Sequence, residues 1–491
     1  MNELQSEVFC GACSPTMLTT LPALPVRSAL DINRTNFDTE YHWSHARSLR
    51  TRQYVEQNDR EDIRNKARYE FLNNEFVYGI VTKFALYAVG TGPRLNFSID
   101  HLIPNDIDEN RNLQAKELCD LVATGFKHWT DSFCYFLHQW TAAINVAVDG
   151  EHLGVIVPNP RNEYCPYEYR TIDVARLANP DHRENTRNMK DGIFYDGFGN
   201  PEAYCILDVP DRDSESYDST KYTIVPASQV IHIFMPVVAE QLRGYSVLSP
   251  SLQRIGRYRD YDEATLEGAK QAAHILGVIE TQTGYVDNSP LTAQQMARNP
   301  YDQREVLGFD RGAWMKLPPL TTARVFDPKP SNTNYKEYMD INAQAMGMPL
   351  HTPKNRATGS SADYNYSSAK LDEQIADTFI DFYRTLADLR MNDKTLRVYY
   401  TYKLHEYFAK FDWEVVPEYK DAKKIWRYPV PKSIDPLKQE QAWNVGLKNG
   451  TLSKKEVVES RSRDVMWSDV NDQIISEGGP TGFKEQIEVI E

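Results

Sequence analysis

No stretch of the chain approaches 18 uninterrupted apolar residues, so no helix that crosses a membrane is expected. Cysteine is scarce, six in 491 residues, too few for a disulfide framework and in keeping with a reducing compartment. Cys10 and Cys13 form a lone C-x-x-C, and the SPTMLTTLPALP that follows offers neither a second pair nor a strand–helix context. Free thiols in a loose arm are the reading. The start, MNELQSEVF, is acidic and lacks the basic and apolar regions of a secretory leader, so none is expected. Positive charge is in deficit, with Lys and Arg numbering 55 against 69 Asp and Glu, a net charge of −14. That argues against a protein that coats nucleic acid through bulk electrostatics, because such binding rests on many cations neutralising phosphates. It leaves room for one past which DNA slides without being gripped.

Catalytic signatures are also missing. There is no G-x-x-x-x-G-K-[ST] loop, hence no P-loop motor, and no G-x-S-x-G elbow or H-E-x-x-H. Gly90-Thr91-Gly92 lacks the third glycine and the preceding strand of a dinucleotide site, and reads as a helix stop. His42-x-x-His45 lies in a polar arm without a second ligand pair, so a solvated histidine pair is preferred to a metal site. Acidic residues are abundant, but no spacing singles out a nuclease set, and solvated charge is the better reading. No enzyme, cofactor or metal is expected.

What is present is a long α+β chain with 29 tyrosines, suited to wide contact surfaces as well as cores. Residues 1–59 read as an extended arm. One helix is predicted from Arg60 to Tyr87, with Ile63, Ala67, Phe71, Phe76, Ile80 and Phe84 on one face. Strand-like runs follow from 94 to 235, and Asp149-Gly150 between AAINVAV and EHLGVIV predicts a hairpin. A helix is predicted over 250–273, then a compact α/β insert to 332 with Asn-Pro, Pro-Pro and Lys-Pro turns. A second helix over 335–346 stops at Gly347 and Pro349. After the polar LHTPKNRATGSSAD, Leu371, Ile375, Phe379, Phe382, Leu386 and Leu389 recur at helical spacing and predict core packing. Asp435-Pro436, Gly450 and Ser453-x-x-Glu456 punctuate a helical C-terminal part.

In this order stand several specific strings. Asp149-Gly150-Glu151, Gly192-Ile193, Val230-Ile231-His232-Ile233-Phe234 and Gln241-Leu242-Arg243-Gly244-Tyr245-Ser246 resemble the lambda-type bacteriophage portal family. Asn365-Tyr366-Ser367-Ser368 and Ile434-Asp435-Pro436-x-Lys438 resemble its later motifs, and the whole covers about residues 60–477. Lys370, where the family often has Arg, and Ser462-Arg463-Asp464, where a Gly-x-Asp is common, depart from the pattern.

The resemblance implies a head–tail connector, one subunit of a dodecameric ring at a capsid vertex, assembled in the host cytoplasm. It implies partners: double-stranded DNA in the channel, terminase, the major capsid protein and a tail or adaptor protein. Carried onto this chain it implies a wing at 60–247, a stem helix at 248–273, a clip at 274–332 and a second stem helix at 333–347. A tunnel loop at 348–362, a long helix with the rest of the wing at 363–431 and a helical crown and tail at 432–491 complete the map. Channel candidates are Lys354, Arg356, Thr358, Ser360 and Ser361, and clip docking candidates are Tyr301, Arg304, Trp314 and Lys316. The alternatives are another head structural protein, coat or adaptor, and a metal-dependent phage nuclease.

Overall fold

The computed structural model describes residues 52–99, 102, 109–209, 217, 220–274, 278–281, 321–324, 335–360, 365–411, 415–429, 436–454, 457–458, 470 and 473–474. It is a mixed helix and sheet chain divided into two compact units, Met1–Ile255 with Ala343–Glu491, and Gly256–Asn342.

The first unit begins with α1 (Arg52–Asn73) and α2 (Glu75–Val89). The single helix expected over 60–87 is therefore two. Asn74 is the reason: in an extended conformation its side-chain oxygen accepts from Phe76 N at 3.1 Å and Val77 N at 3.2 Å, capping α2. Gly90, at φ 58°, ends α2 where the glycine-rich stretch said it would. Then come β1 (Arg94–Ser98), α3 (Glu109–Ser132) and α4 (Tyr135–Val148).

The second correction falls on α4. AAINVAV is helix, not the first arm of a hairpin; its buried residues Tyr135, Gln139, Ala142, Ala143 and Val146 keep the 3.6-residue period. Asp149-Gly150 joins that helix to β2 (Glu151–Pro158). A short apolar run does not distinguish helix from strand by itself, and alanine tips it to helix. Strands β3 (Tyr167–Ile172) and β8 (Val230–Phe234) flank β2 antiparallel, in the order β3-β2-β8. A second sheet runs β4 (Met189–Lys190), β5 (Ile193–Tyr195), β6 (Pro201–Leu207), β7 (Tyr222–Pro226). Leu153, Val155 and Val230 from the first sheet meet Ile193, Tyr204 and Ile206 from the second in one apolar cluster.

The chain returns to this unit at Ala343 and later forms a continuous helical stretch from 366 to 410. It comprises α8 (Tyr366–Ala387), a π-helical turn (Asp388–Asn392) and α9 (Asp393–Lys410), and precedes β11 (Lys423–Arg427) and α10 (Pro436–Lys448). β11 pairs antiparallel with β1. One core cluster joins Leu118, Val122, Phe126 and Trp129 of α3 to Leu396, Tyr399, Tyr400 and Tyr407 of α9, with Leu95 and Phe97 of β1. Trp129 is fully buried and stacks on Tyr399 at 5.4 Å. α8 lies on α2, where Phe84 meets Phe379 and Tyr383. Arg384 donates to the carbonyls of Tyr87 and Ala88, placing a cation at the C-terminus of α2.

The apolar repeat of α8 is the third correction. Leu371, Ile375, Phe382 and Leu389 are 59%, 55%, 53% and 63% exposed. The face turned to the core carries Ala376, Ile380, Tyr383 and Ala387 instead. Periodicity identifies an apolar face but not what covers it, and here Leu371, Ile375 and Phe382 point out while Ile380 and Tyr383 pack inward with two alanines.

α5 (Leu252–His274) and α6 (Tyr335–Gly347) run from one unit into the other. Within Gly256–Asn342, β9 (Val278–Thr281) pairs antiparallel with β10 (Thr321–Arg324). There Tyr261 contacts Tyr338 at 4.2 Å between ring centroids, and Tyr335 donates to Asp262 at 2.5 Å.

Candidate functional site

Two places in the first unit bear on the expected chemistry. The first is the segment expected as a polar loop. Met348–Leu350 forms a 3-10 turn, and α7 (Lys354–Thr358) is one turn and a half of helix ended by Gly359 at φ 70°. Thr352 N donates to Gly347 O at 3.0 Å, and His351 lies against Phe379 at 4.6 Å. Arg356 is only 9% exposed. Its guanidinium lies 3.7 Å from the centroid of Tyr87, donates to Glu373 and reaches Asp377 at 3.4 Å. Lys83 donates to the Arg356 carbonyl at 2.6 Å, and Asn355 to Glu373 at 3.0 Å.

This segment is thus docked on α2 and α8, and Arg356 is not the exposed loop charge that Pro353, Gly359 and the serines suggested. The available signal was Glu373 and Asp377, four residues apart and so on one helix face, next to an isolated arginine. Lys354 and Thr358 are half-buried, with the Thr358 hydroxyl donating to Lys354 O at 2.8 Å, and Ser360 is exposed. Ser361 lies outside the described residues, as do Tyr301, Arg304, Trp314 and Lys316.

The second place gathers the motif strings. Glu151 opens β2 and is fully buried, and Arg243, 2% exposed, comes from the loop after β8. Arg243 Nε donates to Glu151 Oε2 at 2.8 Å and Nη2 to Oε1 at 2.6 Å, a two-pronged pair. Its Nη1 donates to the carbonyls of Asp191 at 2.6 Å and Leu177 at 3.1 Å. Gly244 N and His232 Nε2 complete the carboxylate's partners at 3.1 and 2.9 Å. Burial alone would raise the Glu151 carboxyl, but Arg243 and His232 outweigh it and hold the group well below the usual range. Burial is also the largest effect on His232 and keeps its ring neutral more than Glu151 charges it.

The glycines of these strings have steric work. A Cβ on Gly150, at φ 87°, would lie 2.0 Å from the Tyr245 carbonyl carbon, and one on Gly244 would lie 2.2 Å from Gly150 O. Two backbones cross here at a separation only glycine permits. On the outer side, Arg68 bridges Asp149 at 2.7 Å and Asp173 at 2.6 Å, and Arg60 meets Asp191 at 3.1 Å.

Chemically this is a clasp: Glu151 and Arg243 are paired with each other and shut away from solvent. Among the described residues, no group of three or more His, Cys, Asp or Glu is placed to hold a metal ion. Among them too, no helix is long and apolar enough to cross a membrane.

Comparisons with known proteins give the same strings a context. A family model described as phage portal protein, lambda family, matches residues 42–382. No curated protein matches the chain. A solved chain from the virion of a native gene transfer agent particle is similar at 15% identity and a TM-score of 0.46, covering 86% of this chain and 94% of that one. A chain from the neck of the native particle, computed with C12 symmetry, is similar at 15% identity and 0.45, covering 81% and 91%. With a family model matching more than half its length, the chain belongs to the lambda family of phage portal proteins, and is a structural component of a phage particle, its head–tail connector.

Proposed function

We propose that this chain forms a closed dodecameric ring at one capsid vertex, through which double-stranded DNA is packaged and later ejected. The family match over residues 42–382 carries the reading. The parts are assigned as wing at 60–247 and 363–431, stem at 248–273 and 333–347, clip at 274–332, tunnel loop at 348–362 and crown from 432. A separate compact unit at Gly256–Asn342, entered by α5 and left by α6, supports treating the clip as distinct from the wing. Tyr301, Arg304, Trp314 and Lys316 are its docking residues for terminase and then for a tail or adaptor protein, while the wing meets the major capsid protein.

In a ring each residue recurs around the axis, so Lys354 becomes a collar of positive charge, with Thr358, Ser360 and Ser361 beside it. Arg356 serves differently, tying the segment to α2 and α8. A cationic collar in a chain of net charge −14 touches phosphates without reading bases, and the remaining wall repels the duplex and keeps it moving. Assembly takes place in the host cytoplasm before incorporation into the virion.

Electron microscopy of the purified protein tests the reading. Hollow twelve-fold rings are the expected result, and stable monomers at micromolar concentration by light scattering would overturn it.

A further inference from the structure

α8 is apolar on two faces. Ala376, Ile380, Tyr383 and Ala387 pack inward, while Leu371, Ile375 and Phe382, continued by Leu389, stand in solvent. Their spacing of four, seven and seven residues keeps them on one stripe, with half-buried Phe379 and Leu386 at its edge. The stripe is about 27 Å long at 1.5 Å per residue. An isolated soluble chain rarely leaves such a face open, since contiguous exposed apolar patches beyond roughly 300–600 Å² mark interaction sites.

A second apolar patch lies on the same unit. Tyr69 and Leu72 of α1 and Tyr78 and Leu86 of α2 are 55%, 74%, 51% and 59% exposed. Phe71 of α1 stacks on Tyr78 at 5.2 Å and joins the two helices into one surface. Gly79 leaves a notch beside Tyr78, because an added Cβ there would meet nothing within 4 Å.

We infer that the α8 stripe of one subunit seats on the α1–α2 patch of the next copy of this chain, an inference that rests on the ring reading above. A ring joins unlike surfaces head to tail, so each subunit must present two different complementary patches. The α8 stripe and the α1–α2 patch are both apolar, similarly exposed and carried on separate helices. A stable interface takes about 800 Å² from each partner, and four large side chains with a flanking rim on either side form the apolar centre of one.

The test uses the full-length protein with the photo-crosslinking residue benzoylphenylalanine in place of Phe382, an aromatic exchange at an exposed position. Irradiation should give a ladder of covalent multimers, and peptide mapping should place the link within residues 66–86 of a second copy. Links to the chain's own residues 1–51, to any other segment, or to nothing would overturn the inference where the protein is still a ring by light scattering. A protein that is monomeric throughout overturns the ring reading and this inference together. As an independent check, the Leu371→Asp/Phe382→Asp variant should run as a monomer with an unchanged circular dichroism spectrum. Retained rings would sink the proposal.

Discussion

Replacing Arg356 by alanine removes a buried guanidinium that lies over Tyr87 and binds Glu373, a part-exposed carboxylate that keeps its bond from Asn355. The variant should lose about 2 kcal/mol of stability, read as a lower midpoint of thermal unfolding, because a charge-assisted hydrogen bond and a cation–π contact go with it. No loss would return Arg356 to the role of a bystander. Asp388 makes a second prediction. It accepts from Tyr428 and Asn392, both at 2.7 Å, and burial pushes its carboxyl up to about 7. A carboxyl raised in the folded chain binds its proton more tightly there than when unfolded. Stability is therefore lost as pH rises from the ordinary carboxylate range toward 7. Asp388→Asn keeps an oxygen for both donors and carries no charge, so its unfolding midpoint should gain on the wild type steadily from pH 4 to 7 and level off above. A difference independent of pH would contradict the raised value. His152 acts in the opposite sense. It is fully buried and its pKa falls to about 3, so its contribution is complete above the ordinary histidine range and fades as pH drops below it.

At the scale of elements, the clasp between β2 and the loop after β8 predicts a pattern rather than a single value. Glu151→Ala should cost about 3–5 kcal/mol, because Arg243 is then buried without its counter-charge. Glu151→Leu combined with Arg243→Met should recover part of that loss. Recovery stays incomplete because the carbonyls of Leu177 and Asp191 lose their donor. Denaturant midpoints decide the matter, and purely additive losses would show that the two residues act separately. The same elements show what could be read in advance. α5 was legible from its length and period, α6 from its stop at Gly347 and Pro349, and the end of α2 because Gly90 needs a positive φ. The break at Asn74 was not, since an asparagine cap inside an apolar repeat is invisible to periodicity. AAINVAV was misread because the Asp149-Gly150 turn signal between two apolar runs was given more weight than the helix preference of its alanines.

For the whole molecule, family-level function was legible because several short strings occur in a fixed order, and two of them supply one clasp: Glu151 and Arg243 for charge, Gly150 and Gly244 for close approach. What lay beyond reach was how the chain divides its apolar faces between itself and others, since the large residues of α8 carry the same pattern whether their cover comes from within or from outside. The π-turn at Asp388–Asn392 bears on that division. It spends one residue more than regular helix would, with Asp393 N reaching back to Asp388 O. One extra residue is about 100° of rotation. It therefore sets the phase between α9, whose tyrosines must meet α3, and α8, whose leucines must not turn inward. Deleting Leu389 would restore regular helix and turn α8 like a key in its lock, bringing another sector of that helix against α2. Such a chain should keep its helix content yet exchange the amide hydrogens of α2 faster, because the helix meant to cover them now presents the wrong side.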